Sequence, residues 1–246
     1  MSPYFKEYRN KIKELKKRQN KRIYMFLIFI SLLLFAGWII LYNVSYYRAL
    51  NTLNKNRIDS YQVLKKMSAD TIQKNNKKKA HFKKTNKQEK TNTNVTNIFE
   101  HDTKRTNSKI TNAIVGEIKV PKLKIDIPIL VDDQPQNLRF GAGQMHDAKM
   151  GEKNNYALAG HNNQPLSKKD LFSPLTNIQK NYRIYVTDFN KVYVYKVYNK
   201  KVVPNTDIAI LENHNFKEIT LMACYDQAAT KRIVATGKMI DEFDYK

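Results

Sequence analysis

The chain has 246 residues, 44 Lys+Arg against 22 Asp+Glu, five His and a single Cys. At about 100–200 residues per domain the length admits one or two domains, and one cysteine excludes an intramolecular disulfide framework and any multi-cysteine zinc site. Seven Gly and seven Pro are too few for a collagen-like or Pro/Gly-rich disordered chain. The net charge of +22 is unevenly spread: residues 1–113 hold 25 Lys+Arg and 7 Asp+Glu, residues 114–246 hold 19 and 15. The basicity belongs to the N-terminal half, and the C-terminal half has the balance of an ordinary globular domain.

Residues 1–22 form a basic segment with nine Lys/Arg against Glu7 and Glu14. From Ile23 to Tyr42 the chain carries no charge for twenty residues. At 1.5 Å per residue that is about 30 Å of helix, enough to cross a bilayer's hydrocarbon core. Tyr24, Trp38 and Tyr42 stand near its ends, where amphipathic rings favour the interface. A cleaved signal peptide has a shorter apolar region and a small-x-small site. Here Asn43-Val44-Ser45-Tyr46-Tyr47 follows, so an uncleaved membrane helix is expected. The fifteen residues after Tyr42 hold only Arg48, Lys55 and Arg57, so the positive-inside rule puts the N-terminus in the cytoplasm and the bulk of the chain outside.

Residues 43–113 read as a helical, then disordered stalk. Leu50, Leu53, Ile58, Tyr61, Leu64 and Met67 recur at helical steps. From Thr71 to Asn112 the text is Lys, Asn and Thr with few apolar residues, too little to offset the entropy of ordering it. A basic run can bind nucleic acid, but outside the cell a solvated tether or an anionic wall or membrane surface fits better. No nucleic-acid partner is expected.

Residues 114–246 are expected to form one domain with a real core. Strand patterns occupy Ile114–Val120, Ile125–Val131, Asn155–Gly160, Arg183–Thr187, Lys191–Tyr198, Glu218–Cys224 and Arg232–Lys238. Asp188-Phe189-Asn190 reads as a hairpin turn, and Pro128 as an edge proline. Short helices are expected at Lys168–Phe172 and Asp207–Leu211. Seven or eight short strands with few helices predict a mainly β domain, a closed or nearly closed barrel or a sandwich.

Cys224 ends a strand on which Thr220, Met222 and Cys224 share a face by alternation. The next strand opens with Arg232-Ile233-Val234, which makes Arg232 a plausible neighbour of Cys224 across a short connection. Tyr156-Ala157-Leu158-Ala159-Gly160 delivers His161 just past a strand end. Taken singly these are weak signals, since a lone Cys is most often a small buried hydrophobe. Cys with His points to nucleophilic catalysis by thiolate and imidazolium. His81 and His101 lie in the stalk, and His146 and His214 have no sharp context.

The run Thr220-Leu221-Met222-Ala223-Cys224 followed by Arg232-Ile233-Val234 resembles the signature of sortases. Gly141–Met145, Met150-Gly151-Glu152, Tyr156–His161 and Leu171–Leu175 are similar to class A sortases of the streptococcal type, over about residues 114–240. The N-terminal apolar run, without a second one near the C-terminus, suits class A, and the chain has no Asp-Pro dipeptide of the kind expected in a class C lid. Ala223 departs from the usual Thr before the cysteine; alternation points it away from Cys224, so a packing change is expected there. Between Met145 and Asn155 only Asp147 and Glu152 are acidic, and the same stretch holds Lys149 and Lys153, which argues against a calcium site. No metal or other cofactor is expected.

The resemblance implies a closed sortase-type β-barrel and a two-step transpeptidation. Cys224 would attack the Thr–Gly bond of a Leu-Pro-x-Thr-Gly sorting signal and His161 would protonate the leaving amine. Arg232 would stabilise the oxyanion or the substrate backbone, and an amine of a peptidoglycan precursor would resolve the thioacyl enzyme. Alternation nominates Ala159, Thr220, Met222 and Val234 as groove residues for the surface-protein substrate; each reads equally well as barrel core. With reference pKa values near 8.5 for a thiol and 6.5 for an imidazole, on the order of 1% of molecules would hold thiolate and imidazolium together at neutral pH. The competing reading is a membrane-tethered binding module that docks wall polymers and leaves Cys224 inert.

Overall fold

The computed structural model describes residues 3–85 and 111–245. The chain divides into two compact units, Met1–Ala49 and Leu50–Lys246. Helix α1, Pro3–Lys66, contains the apolar run; it is long and apolar enough to cross a membrane, and its most apolar stretch is buried nowhere in the structure.

Eight strands close into a barrel: β1 Ile114–Val120, β2 Ile125–Leu130, β3 Ala142–Gln144, β4 Asn155–Gly160, β5 Arg183–Thr187, β6 Lys191–Pro204, β7 Glu218–Cys224 and β8 Lys231–Asp244. Around the barrel they run β1-β2-β3-β4-β7-β8-β6-β5. Neighbours are antiparallel except β2 with β3 and β4 with β7. The interior is filled by alternate residues such as Ile118, Leu158, Val186, Ile219, Leu221 and Ile233, each fully buried. Closure leaves no free sheet edge along these strands.

Strand existence follows the hydrophobic alternation, and the differences have local causes. β6 and β8 run on to Pro204 and Asp244, because each finds the other as a partner over 13 residue pairs. β3 escapes the pattern, being three residues long and flanked by turns. Gly143 is needed there, since a Cβ would lie 2.3 Å from the Asp132 carbonyl oxygen. The helix expected at Lys168–Phe172 is absent. The buried side chains of Leu171 and Phe172 pull that segment into the core, and a single 3-10 turn follows at Ser173–Asn177 with Pro174 near its start. The helix expected at Asp207–Leu211 is a 3-10 turn at Ala209–Leu211. A one-turn helix, α3, occupies Pro135–Leu138. Pro128 is tolerated because β3 pairs only with Ile129 and Leu130 of β2. Asp188 Oδ1 accepts from the amides of Asn190 (3.0 Å) and Lys191 (2.9 Å), closing the expected hairpin turn.

The stalk reading needs correcting over its first part. Residues Ala69–Thr85 form helix α2, which packs on β1. Its polar text hides the anchors: Ile72 is fully buried, Asn75 Nδ2 donates to the carbonyls of Thr111 and Ile114 (both 2.8 Å), and Asn76 Nδ2 to that of Val115 (3.1 Å). Leu64 of α1 joins Ala113, Ile114 and Leu130 in a second apolar cluster. The helical segment therefore supplies part of the barrel domain's outer packing. The remaining expected stalk, residues 86–110, lies outside the described residues. Ile72→Ala is expected to cost the 50–246 unit about 2–5 kcal/mol, the usual range for emptying a buried site, as read by chemical denaturation.

On β1, buried Glu117 lies 3.1 Å from Lys119 Nζ. Burial, together with a hydrogen bond to Asp126, outweighs that ion pair and pushes its carboxyl up to about 7. The folded state therefore holds a proton that the unfolded chain releases near 4.5. The stability this contributes is full below about 4.5 and is lost as pH rises through about 7. The parent protein should lose thermal stability between pH 5 and pH 8, and Glu117→Gln should flatten that loss.

Candidate active site

The geometry of the site is set by β7, which lies between parallel β4 and antiparallel β8. Register pairs Cys224 of β7 with Arg232 of β8, and Ala223 with Gly160 of β4. His161 is the next residue after Gly160, so it leaves β4 alongside Cys224. Leu221, Ala223, Ile233 and Leu158 are in the barrel core. Alternation then turns Cys224, Arg232 and His161 outward, where Cys224 is a partly exposed free thiol.

The chain around His161 is tied down at several points. The Asn162 side-chain amide donates to the Cys224 carbonyl (2.8 Å), joining the histidine segment to the end of β7. The His161 carbonyl accepts from the Phe172 amide (3.0 Å). Asn163 donates from its main chain to Ser173 Oγ (2.8 Å) and from its side chain to Asp170 Oδ2 (2.7 Å). Asp170 is buried, and that burial raises its carboxyl against the pull of Asn163 and Arg57. Gly160 is required beneath this loop, since a Cβ there would lie 2.5 Å from the Phe172 ring.

His161 is largely enclosed, and its Nε2 makes no hydrogen bond to a described residue. Burial lowers its pKa, and the positive charge of Arg139 lowers it further, so both favour the neutral imidazole. Arg232 Nη1 donates to the carbonyls of Ala229 (2.7 Å) and Lys231 (3.2 Å), fixing the guanidinium against its own turn. Its other nitrogens make no hydrogen bond to a described residue.

The nominated groove residues fall on this outer face, with unequal access. Met222 and Val234 are register partners and pack with Val203, Ile210 and Leu211 in a small apolar cluster outside the barrel. Ala159 is paired with Met222 across β4 and β7. Met222 is half-buried, whereas Val234 and Ala159 are buried and Thr220 is fully enclosed, its Oγ1 without a hydrogen-bond partner among the described residues. Thr220 thus lies beneath this face, out of reach of solvent. Sequence reasoning missed that Ile210 and Leu211 join this cluster, because a 13-residue connection separates β6 from β7 and no spacing rule links it to the cysteine. It also missed Asn162 and Arg139, whose roles depend on contacts distant in sequence. A cavity of about 810 Å³ at the other end of the barrel, near Lys217 and Glu242, belongs to a different region. There Glu152 is paired with Lys149, and Glu242 with Lys191 and Lys217.

With this arrangement in view, comparison with known proteins is informative. The model of the sortase domain family matches residues 118–240. The chain belongs to the sortase family. It is 31% identical to sortase A of Streptococcus agalactiae over 90% of this chain and 89% of that one. Sortase A of Listeria monocytogenes is 30% identical over 74% of this chain and 78% of its own length. A crystal structure of the Listeria monocytogenes enzyme superposes with a TM-score of 0.52 at 33% identity, over 55% of this chain and 92% of that one. The protein is therefore a transpeptidase that anchors surface proteins, acting in general on sorting-signal proteins and cell-wall precursors.

The electrostatics of this sortase give a direct test. Arg139→Gln removes one of the two influences that disfavour the imidazolium, so the His161 pKa should rise; an NMR titration of the imidazole in a Cys224→Ala background reads the shift.

Proposed function

We propose that this sortase is a class A cysteine transpeptidase that cleaves a Leu-Pro-x-Thr-Gly sorting signal between Thr and Gly. The observation that carries the reading is the meeting of three strand ends: Cys224 and Arg232 are register partners, and His161 follows the Gly160–Ala223 pair.

The Cys224 thiolate attacks the threonine carbonyl carbon, forming a C–S bond as the carbonyl electrons move to oxygen. Arg232 donates to that oxyanion or to the adjacent peptide carbonyl, where a fixed cation is worth more than in water. Collapse breaks the C–N bond, and the His161 imidazolium gives its proton to the departing glycine amine. The resulting imidazole then takes a proton from the incoming amine of a peptidoglycan precursor, which attacks the thioester and releases Cys224. The apolar part of the signal lies over Met222, with Ala159 leaving room beside it, Val234 and Thr220 supporting the floor, and Ile210 and Leu211 as the wall. A lowered imidazole pKa reduces the population of the thiolate–imidazolium form. A negative charge beside the ring, such as the Cys224 thiolate itself, works in the opposite direction.

The apolar run at 23–42 anchors the enzyme in the membrane in a single pass. The basic residues ahead of it support a cytoplasmic N-terminus and a catalytic domain outside.

The test is turnover of a fluorogenic Leu-Pro-x-Thr-Gly peptide by the full chain in detergent, with and without an amine acceptor. Cleavage is expected, with the acceptor raising ligation product, and Cys224→Ala should abolish both. Arg232→Lys keeps the charge but loses the planar fork, so turnover should fall more than about tenfold. A Cys224 that resists a methanethiosulfonate reagent in a protein without turnover would favour the binding-module reading.

A further inference from the structure

The wall of the groove belongs to the connection between β6 and β7, residues 205–217, whose only regular element is the 3-10 turn Ala209–Leu211. Such a short turn does not hold its own shape, and ordering the connection costs entropy at every residue. Its inward carbonyls also need donors. Both needs are met from one place. Asn155, the first residue of β4 and 1% exposed, donates from Nδ2 to the carbonyls of Ile210 (2.9 Å) and Glu212 (3.3 Å). Its main-chain amide donates to Asn213 Oδ1 (3.0 Å), and its own Oδ1 makes no hydrogen bond to a described residue. The side chain is thus used only through its two N–H groups, both aimed at the wall.

A brace stands next to it. Glu218, the register partner of Asn155 on β7, is buried and accepts from the Tyr198 hydroxyl of β6. Its other oxygen lies 2.5 Å from His214 Nδ1, in the returning limb of the same connection. The His214 ring stacks on Phe216 with centroids 5.3 Å apart, and Lys238 of β8 covers the opposite partner of that stack, 4.9 Å from the Phe216 centroid.

We propose that Asn155, braced by Glu218 and His214, is the positioning residue that holds the Ile210–Leu211 wall in place before the sorting signal arrives. Asn155 lies six residues before His161 on one extended strand, about 20 Å away, so it does not touch the reacting atoms. Its effect falls on capture of the apolar part of the signal. This rests on the sorting-signal reading of the groove.

The experiment uses the full chain in detergent with the fluorogenic peptide. Asn155→Asp keeps the shape but replaces two donors by acceptors facing two carbonyls. KM should rise about tenfold or more, with kcat and the rate of methanethiosulfonate labelling at Cys224 within about twofold of the parent. Hydrogen exchange at residues 209–213 should quicken, while exchange in β7 stays unchanged. His214→Ala, at a half-exposed position, should raise KM in the same sense by a few-fold, and it carries the test if Asn155→Asp does not fold. A folded variant with the parent KM, or one that loses kcat and thiol reactivity instead, overturns the positioning role. A parent protein that leaves the peptide intact overturns the groove reading itself and the role with it, an outcome distinct from an active parent with an indifferent variant.

Discussion

The hydrogen-bonded register of β7 against its two neighbours is the constraint on which the rest of the molecule turns. Parallel pairing with β4 and antiparallel pairing with β8 bring a strand exit, a strand entry and a second strand exit to one rim of the barrel. Because side chains alternate with a period of two, a slip of one residue would carry Cys224 into the core and bring Ala223 out. That slip is opposed by Ile219, Leu221 and Ala223, all packed in the interior. The same apolar burial that stabilises the barrel therefore fixes the direction in which the thiol points.

Much of this could be read along the chain, and the reason is physical. Asn155–Gly160 and Glu218–Cys224 are bounded by turns and alternate cleanly, so their limits agree with the structure residue for residue. The placing of Arg232 opposite Cys224 needs only a short connection between antiparallel strands. What stayed hidden depends on partners far along the chain. Helix α2 reads as a solvated tether because, among its described side chains, the interior contacts include one isoleucine and two asparagines bonded to backbone carbonyls. The placing of the Ala209–Leu211 turn is hidden for the same reason, since the Ile210 carbonyl accepts from Asn155 some 55 residues earlier.

The site also shows a division between stiffness and chemistry. Asn162, Asn163, Asp170 and Ser173 spend their hydrogen bonds on holding the backbone around His161. The imidazole Nε2 and the outer nitrogens of Arg232 are left with none among the described residues. Donors held in a fixed place with unfilled capacity need little rearrangement when charge develops near them. The cost is borne by His161, whose charged form is disfavoured by its enclosure.

The seam between the helical segment and the barrel bears on how the enzyme can be handled. Ile114 and Leu130 lie fully or almost fully covered, with Leu64 and Ala113 in the same cluster. A version trimmed back to Ile114, where the strands begin, would present that greasy strip to water along with two carbonyls, those of Ile114 and Val115, stripped of their asparagine donors. Such a fragment would tend to self-associate through the bared strip, whereas one begun near Leu50 would retain its own cover.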